Sequence, residues 1–80
     1  MTLEEFESYC DDLIKQEIRD KPKIGRNQNF QSENTVWVND TRIKLRKYFI
    51  EYSQYVEHTD YKMVEEVIDK KIKSFVNRYL

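Results

Sequence analysis

The 80 residues, with a formal net charge of −1, are expected to form a single domain over residues 1–80. Its core should be thin, because so short a chain buries only about 60% of its unfolded surface. One cysteine, Cys10, excludes a disulfide within the chain, and one histidine, His58, excludes the usual structural zinc sites. No apolar run reaches the roughly 20 residues of a membrane helix. We therefore expect a cytoplasmic protein without membrane contact that gains stability from a second copy.

Basic residues are concentrated in the middle of the chain, whereas acidic residues dominate the first 20 positions. Only Glu33 and Asp40 oppose the positive charges of residues 21–47. Such a segment could form a phosphate-binding patch, and the alternative is an ordinary solvated surface. The basic residues of this segment are Lys21, Lys23, Arg26, Arg42, Lys44, Arg46 and Lys47.

The first element, in residues 1–22, is predicted to be an amphipathic helix from Leu3 to Arg19. Thr2 followed by Glu5 has the spacing of a capping box, and Pro22 lies just beyond the predicted end. Its apolar stripe consists of Leu3, Phe6, Cys10, Leu13, Ile14 and Ile18. We expect Cys10 to be packed rather than reactive, since it lies on this stripe.

A polar loop is predicted over residues 23–34, which lack periodicity. The run Thr35-Val36-Trp37-Val38-Asn39 then alternates in residue types that favour strands. In a strand, Val36 and Val38 would share one face, with Trp37 on the other. So short a strand must pair with a hairpin partner or with a second chain.

Two amphipathic helices are predicted after this run. The first is capped by Asn39 or Asp40, and its apolar face consists of Leu45, Tyr48, Phe49, Tyr52, Tyr55 and Val56. The second is capped by Thr59 or Asp60, and its face consists of Tyr61, Val64, Val67, Ile68, Ile72, Phe75, Val76 and Tyr79.

Motifs that carry chemistry are absent from the sequence. It contains no nucleophile elbow, no HExxH, no CxxC and no Walker sequence. The adjacent acidic pairs, such as Asp11 with Asp12, point in different directions on a helix and cannot converge on one atom. We therefore predict no enzymatic activity, no catalytic or metal-binding residues and no cofactor.

The order of elements over residues 34–80 resembles the ribbon-helix-helix repressors. The similarity consists of Thr35-Val36-Trp37-Val38, a helix, and a last helix that ends in Arg78-Tyr79-Leu80. The resemblance implies a mainly α fold with one short β-strand, in the order β-α-α after an N-terminal helix, and a dimer with paired antiparallel strands. In that family the paired strands enter the major groove.

Carried over to this chain, the resemblance implies that Thr35, Trp37 and Asn39 face base edges and that the start of the last helix, near Lys62, contacts a phosphate. The predicted function is then sequence-specific binding of double-stranded DNA by a small homodimeric regulator of a phage, plasmid or other mobile element. The candidate nucleic-acid-binding residues are Thr35, Trp37, Asn39, Arg42, Lys44, Arg46, Lys62, Lys21, Lys23 and Arg26.

Two alternatives remain open. The chain could be a non-enzymatic protein-interaction module built from three helices, such as a small phage-type inhibitor or assembly factor. Trp37 or the N-terminal helix would then bind the partner protein. Alternatively, residues 36–38 could pair with residues 43–45 in a winged-helix-like hairpin, which would retain a role in DNA binding.

Overall fold

The fold consists of three α-helices in a computed structural model that describes residues 1–21, 30–57 and 61–79. Helix α1 spans Leu3–Arg19, α2 spans Phe30–Ser53 and α3 spans Tyr61–Tyr79. No strand is present in these described ranges. A three-helix bundle was the alternative fold that the sequence left open, and the structure agrees with it.

Helix α1 has the bounds that its apolar stripe predicts. The Thr2 hydroxyl oxygen accepts a hydrogen bond from the backbone N–H of Glu5 at 3.1 Å. This cap satisfies one of the backbone donors that the first turn of a helix leaves unpaired. Glu4 and Glu5 lie in the first turn and Arg19 in the last, so the side-chain charges also oppose the helix dipole.

The predicted strand at residues 35–39 is wrong, because these residues lie inside α2. Val36 is 56% exposed, whereas Val38 is fully buried. A strand would place both valines on one face. In a helix, residues two positions apart differ in direction by about 200°, so Val36 and Val38 lie on nearly opposite sides. Three further predictions are wrong for the same reason, because each of them requires a strand at residues 35–39. They are the β-α-α order, the ribbon of paired strands, and the winged-helix hairpin with residues 43–45.

The predicted loop over residues 23–34 is also wrong at its end. Residues 30–34 form the first turns of α2, and residues 22–29 lie outside the described part of the chain. The helix cap predicted at Asn39 or Asp40 therefore falls in the interior of α2. The predicted cap at Thr59 or Asp60 lies outside the described residues.

Helical packing overrides the strand preference because the buried stripe of α2 begins at Val38, inside the predicted strand. Val38, Thr41, Leu45 and Phe49 are all buried, at intervals of three and four residues. A β-branched residue costs at most about 0.7 kcal/mol relative to alanine in a helix. Burial of a whole side chain contributes more, about 1.5–3 kcal/mol, so the stripe decides the conformation.

The contacts at the two ends show that α2 runs antiparallel to both other helices. The amino group of Met1, before α1, donates to the carbonyl of Tyr55, after α2. At the other end Asn34, near the start of α2, contacts Tyr79 at the end of α3. Helices α1 and α3 therefore run parallel to each other, and each packs along α2.

One apolar core joins the three helices. Phe6, Val38, Leu45 and Phe49 are fully buried, which makes them its centre. Its buried members are Phe6, Cys10, Val38, Leu45, Phe49, Val64, Val67, Ile68, Ile72 and Phe75.

Each pair of helices is also joined by an ion pair. Lys44 of α2 lies 2.8 Å from Glu17 of α1, and Lys71 of α3 lies 2.9 Å from Asp11 of α1. The third pair joins Arg46 of α2 to Asp69 of α3 at 3.3 Å. Exposed pairs contribute only about 0–1 kcal/mol each, so the core supplies most of the stability.

The two valines of the former strand give a direct test of the helix. Val38→Ala removes two buried methyl groups and should lower the free energy of unfolding by about 2 kcal/mol. Val36→Ala, the matched control, should change it by less than about 0.5 kcal/mol, because the site is exposed. Urea denaturation followed by circular dichroism measures both values. Equal losses in the free energy of unfolding for Val36→Ala and Val38→Ala would contradict the helix and favour a strand, in which both valines share one face.

The Cys10 thiol gives a second test, because it is fully buried. Burial, with a smaller contribution from the Asp11 carboxylate, raises the pKa of Cys10 to about 12. At pH 8 a disulfide reagent such as DTNB should therefore label the thiol only when the core opens. For a fold of about 3–5 kcal/mol, labelling should be on the order of 10²–10⁴-fold slower than in urea. Labelling at the unfolded rate would contradict this packing.

Candidate interaction surface

Trp37 contributes to the helix packing and does not face outward as a base-reading residue would. Its ring centroid lies 5.7 Å from that of Phe75 and 5.8 Å from that of Tyr79, both edge-on. The side chain is half-buried against the core. Edge-to-face aromatic pairs contribute about 0.5–1.5 kcal/mol beyond their buried area. Trp37 therefore fastens the start of α2 to the end of α3.

Lys21 lies at the same end of the bundle, although the sequence suggested a phosphate contact for it. Its Nζ donates to Oδ1 of Asn34 at 2.9 Å and lies 4.7 Å from the Trp37 ring centroid. Nδ2 of Asn34 in turn donates to the carbonyl oxygen of Tyr79 at 2.8 Å. A cation is favourable beside a helix C-terminus, where carbonyls lack partners within the helix. Lys21 and Asn34 thus connect all three helices.

Truncation of Trp37 should therefore destabilise the fold. Trp37→Ala removes a half-buried ring and its contacts, so we expect a loss of about 2–3 kcal/mol in the free energy of unfolding. Trp37→Phe, the matched control, keeps an aromatic ring and should recover about half of this loss. Chemical denaturation measures both. A loss below about 0.5 kcal/mol for Trp37→Ala would show that the ring is a free surface anchor.

The other residues predicted to bind DNA do not converge on one face. Arg42 and Arg46 lie one turn apart on α2, but Lys44 points about 160° away from Arg42. Lys44 and Arg46 also take part in the ion pairs with Glu17 and Asp69. A hydrogen bond to Glu17 raises the pKa of Lys44.

The remaining predicted site residues are widely separated. Thr35 is exposed near the start of α2, and Asn39 is half-buried one turn further on. Lys62 is exposed at the start of α3, about 25 Å along that helix from Tyr79. Lys21 lies beside Tyr79, so Lys62 and Lys21 are at opposite ends of α3. Lys23 and Arg26 lie outside the described residues.

Tyrosines pack together at the opposite end of the bundle. The rings of Tyr9 and Tyr52 stack with centroids 3.9 Å apart, and Tyr55 lies 5.8 Å from Tyr52. Burial and a hydrogen bond with the Tyr52 side chain raise the pKa of Tyr9 above its usual range. These rings hold α1 against the end of α2.

The outer face of α2 carries an apolar stripe that the sequence analysis missed. Val36, Ile43 and Ile50 are 56%, 63% and 49% exposed, and they follow one another at intervals of seven residues. We call these three residues the outer stripe. They point away from Leu45 and Phe49, although Ile50 also lines a groove with Val64 and Ile68 of α3. The spacing of seven residues is visible in the sequence. The interpretation of residues 35–39 as a strand assigned Val36 to a different element from Ile43 and Ile50, so the row was not recognised.

A shallow groove lies within the outer stripe. It is lined by Ile43, Arg46, Lys47, Ile50 and Glu51. The first four follow the spacing i, i+3, i+4 and i+7, which is the arrangement of the hole that receives a side chain from a facing helix. Apolar and cationic groups thus meet at one place on an exposed helix.

No group of three or more histidine, cysteine or acidic side chains that could hold a metal ion occurs in residues 1–21, 30–57 and 61–79. Over the same part of the chain, no helix combines the length and apolar character needed to cross a bilayer.

In comparisons with known proteins, no family model matches the chain, and no curated protein or solved structure matches it either.

Proposed function

We propose that this chain is a non-enzymatic protein-interaction module that binds through the outer stripe. The observation that supports the proposal is the exposure of Val36, Ile43 and Ile50 on the side of α2 opposite its buried residues. A helix that packs on one side normally has polar residues on the other. The outer stripe instead repeats one apolar residue every seven positions, so its side chains lie on one line along the helix and offer a second helix a continuous contact.

A protein partner agrees better with these contacts than a DNA duplex does. The predicted reading of bases relied on a strand, but residues 35–39 are helical. Trp37 packs on α3, and Lys44 and Arg46 have carboxylate partners within the chain. DNA binding and a cytoplasmic location stay predictions from the sequence, while the proposed function relies on the outer stripe alone.

Photocrosslinking in the cells that express the gene tests this proposal. A benzophenone amino acid placed at position 43, the centre of the outer stripe, should form covalent adducts with whichever protein covers it. The same amino acid at position 66 is the matched control, because Glu66 is exposed on α3. We expect adducts at position 43 and only background at position 66.

The mass of the adduct identifies the class of partner. An adduct of twice the chain mass would be a second copy, and any other mass would be a different protein. Equal labelling at the two positions, or no adduct at position 43, would overturn the proposed function.

A further inference from the structure

We infer that the occupant of the outer stripe is a second copy of this chain, paired antiparallel along α2; this inference rests on the proposed function. The stripe is close to straight, since an α-helix drifts only about 20° over seven residues. Two such helices can therefore stay in contact over Val36, Ile43 and Ile50. With 24 residues, α2 is about 36 Å long, enough for all three positions to meet a partner helix.

The outer stripe is complementary to itself when the helices run in opposite directions. With Ile43 at the two-fold axis, each residue before position 43 lies opposite the residue equally far after it. Ile43 then meets Ile43 of the second copy, and Val36 meets Ile50 of the second copy. Every apolar residue of the stripe is covered, as a two-fold interface requires.

Charges beside the stripe favour the same register. Asp40 and Lys47 are both exposed on one flank of the stripe, and neither has an ion-pair partner among residues 1–21, 30–57 and 61–79. In the antiparallel pair, Lys47 lies opposite residue 39 of the second copy, about 1.5 Å along the axis from Asp40. The two-fold axis produces this ion pair twice.

The groove in the stripe accommodates the same neighbour. It lies between Ile43 and Ile50, and its sides include Arg46 and Lys47. The two-fold axis places Asn39 and Asp40 of the second copy opposite its centre, with Asp40 on the same flank as Lys47. The Asp40 carboxylate of the second copy therefore lies beside the Lys47 side of the groove, whereas a parallel pair would set Asp40 level with Asp40 and away from Lys47.

A standard interface has about 20–30 residues per side, whereas the outer stripe has three, so we expect a dissociation constant in the micromolar range. Sedimentation equilibrium of the full chain from about 5 to 500 µM should show a monomer–dimer equilibrium. Ile43→Glu should weaken it at least about tenfold, because the substitution acts twice at the centre. Asn77→Glu is the matched control, because Asn77 is an exposed residue of α3 and the substitution adds the same charge. It should leave the dissociation constant unchanged.

A charge exchange tests the register. Asp40→Lys or Lys47→Asp alone should weaken the dimer about threefold to tenfold, because each places like charges together twice. The double variant Asp40→Lys/Lys47→Asp should recover the parent dissociation constant within about twofold. Circular dichroism of each variant verifies that the helices are retained.

Disulfide formation tests the direction of the helices. A mixture of Val36→Cys and Ile50→Cys chains should yield the mixed disulfide, with little of either self-disulfide, while buried Cys10 stays unreacted. Lys73→Cys, exposed on α3, gives the background of random collisions. Self-disulfides of each variant in place of the mixed one would establish a parallel pair and overturn the inference.

The results separate this inference from the proposed function. A chain that stays monomeric at about 500 µM, or a dimer that Ile43→Glu leaves intact, overturns the second copy as occupant. If position 43 then still crosslinks to a different protein, the interaction module stands with another partner. If position 43 crosslinks to nothing, both proposals fall.

Discussion

The structure depends on the burial of one stripe of α2 between α1 and α3. Because α2 contacts both other helices, its rotation about its own axis determines which residues the whole domain buries. Leu45 and Phe49 are fully buried, so the opposite side of α2 must face outward. The exposure of the outer stripe is thus a geometric consequence of the core. The ion pairs between helices add little energy but agree with the same rotation.

Contacts at the two ends determine the direction of the helices. At one end Lys21, Asn34 and Trp37 join the end of α3 through hydrogen bonds and ring contacts. At the other end Tyr9 stacks on Tyr52. A small bundle needs such directional contacts, because an apolar stripe alone fits more than one arrangement of helices. Lys21 and Trp37 have structural roles here, and their residue types also suited a nucleic-acid site.

The sequence predicted α1 correctly, because its cap, its stripe and its proline stop all agree. In the last two helices it placed Leu45, Phe49, Val64 and Ile68 correctly in the core. It was wrong for part of the same predicted faces, because Tyr48, Tyr52, Tyr55 and Tyr61 are exposed. The prediction of a strand at residues 35–39 was wrong. The residue types of this segment alternate as in a strand, and only its packing against α3 shows that it is helical. The outer stripe was missed for the same reason. The cluster around Lys21 depends on residues distant in sequence, which no local pattern indicates.

The inward position of Trp37 and the outward position of Val36 both depend on the helical conformation of residues 35–39. Backbone NMR chemical shifts of this segment test it most directly. The structure predicts helical Cα shifts from Thr35 to Asn39, with contacts from the Trp37 indole protons to the rings of Phe75 and Tyr79. Strand-type shifts, together with cross-strand contacts between these residues, would contradict it.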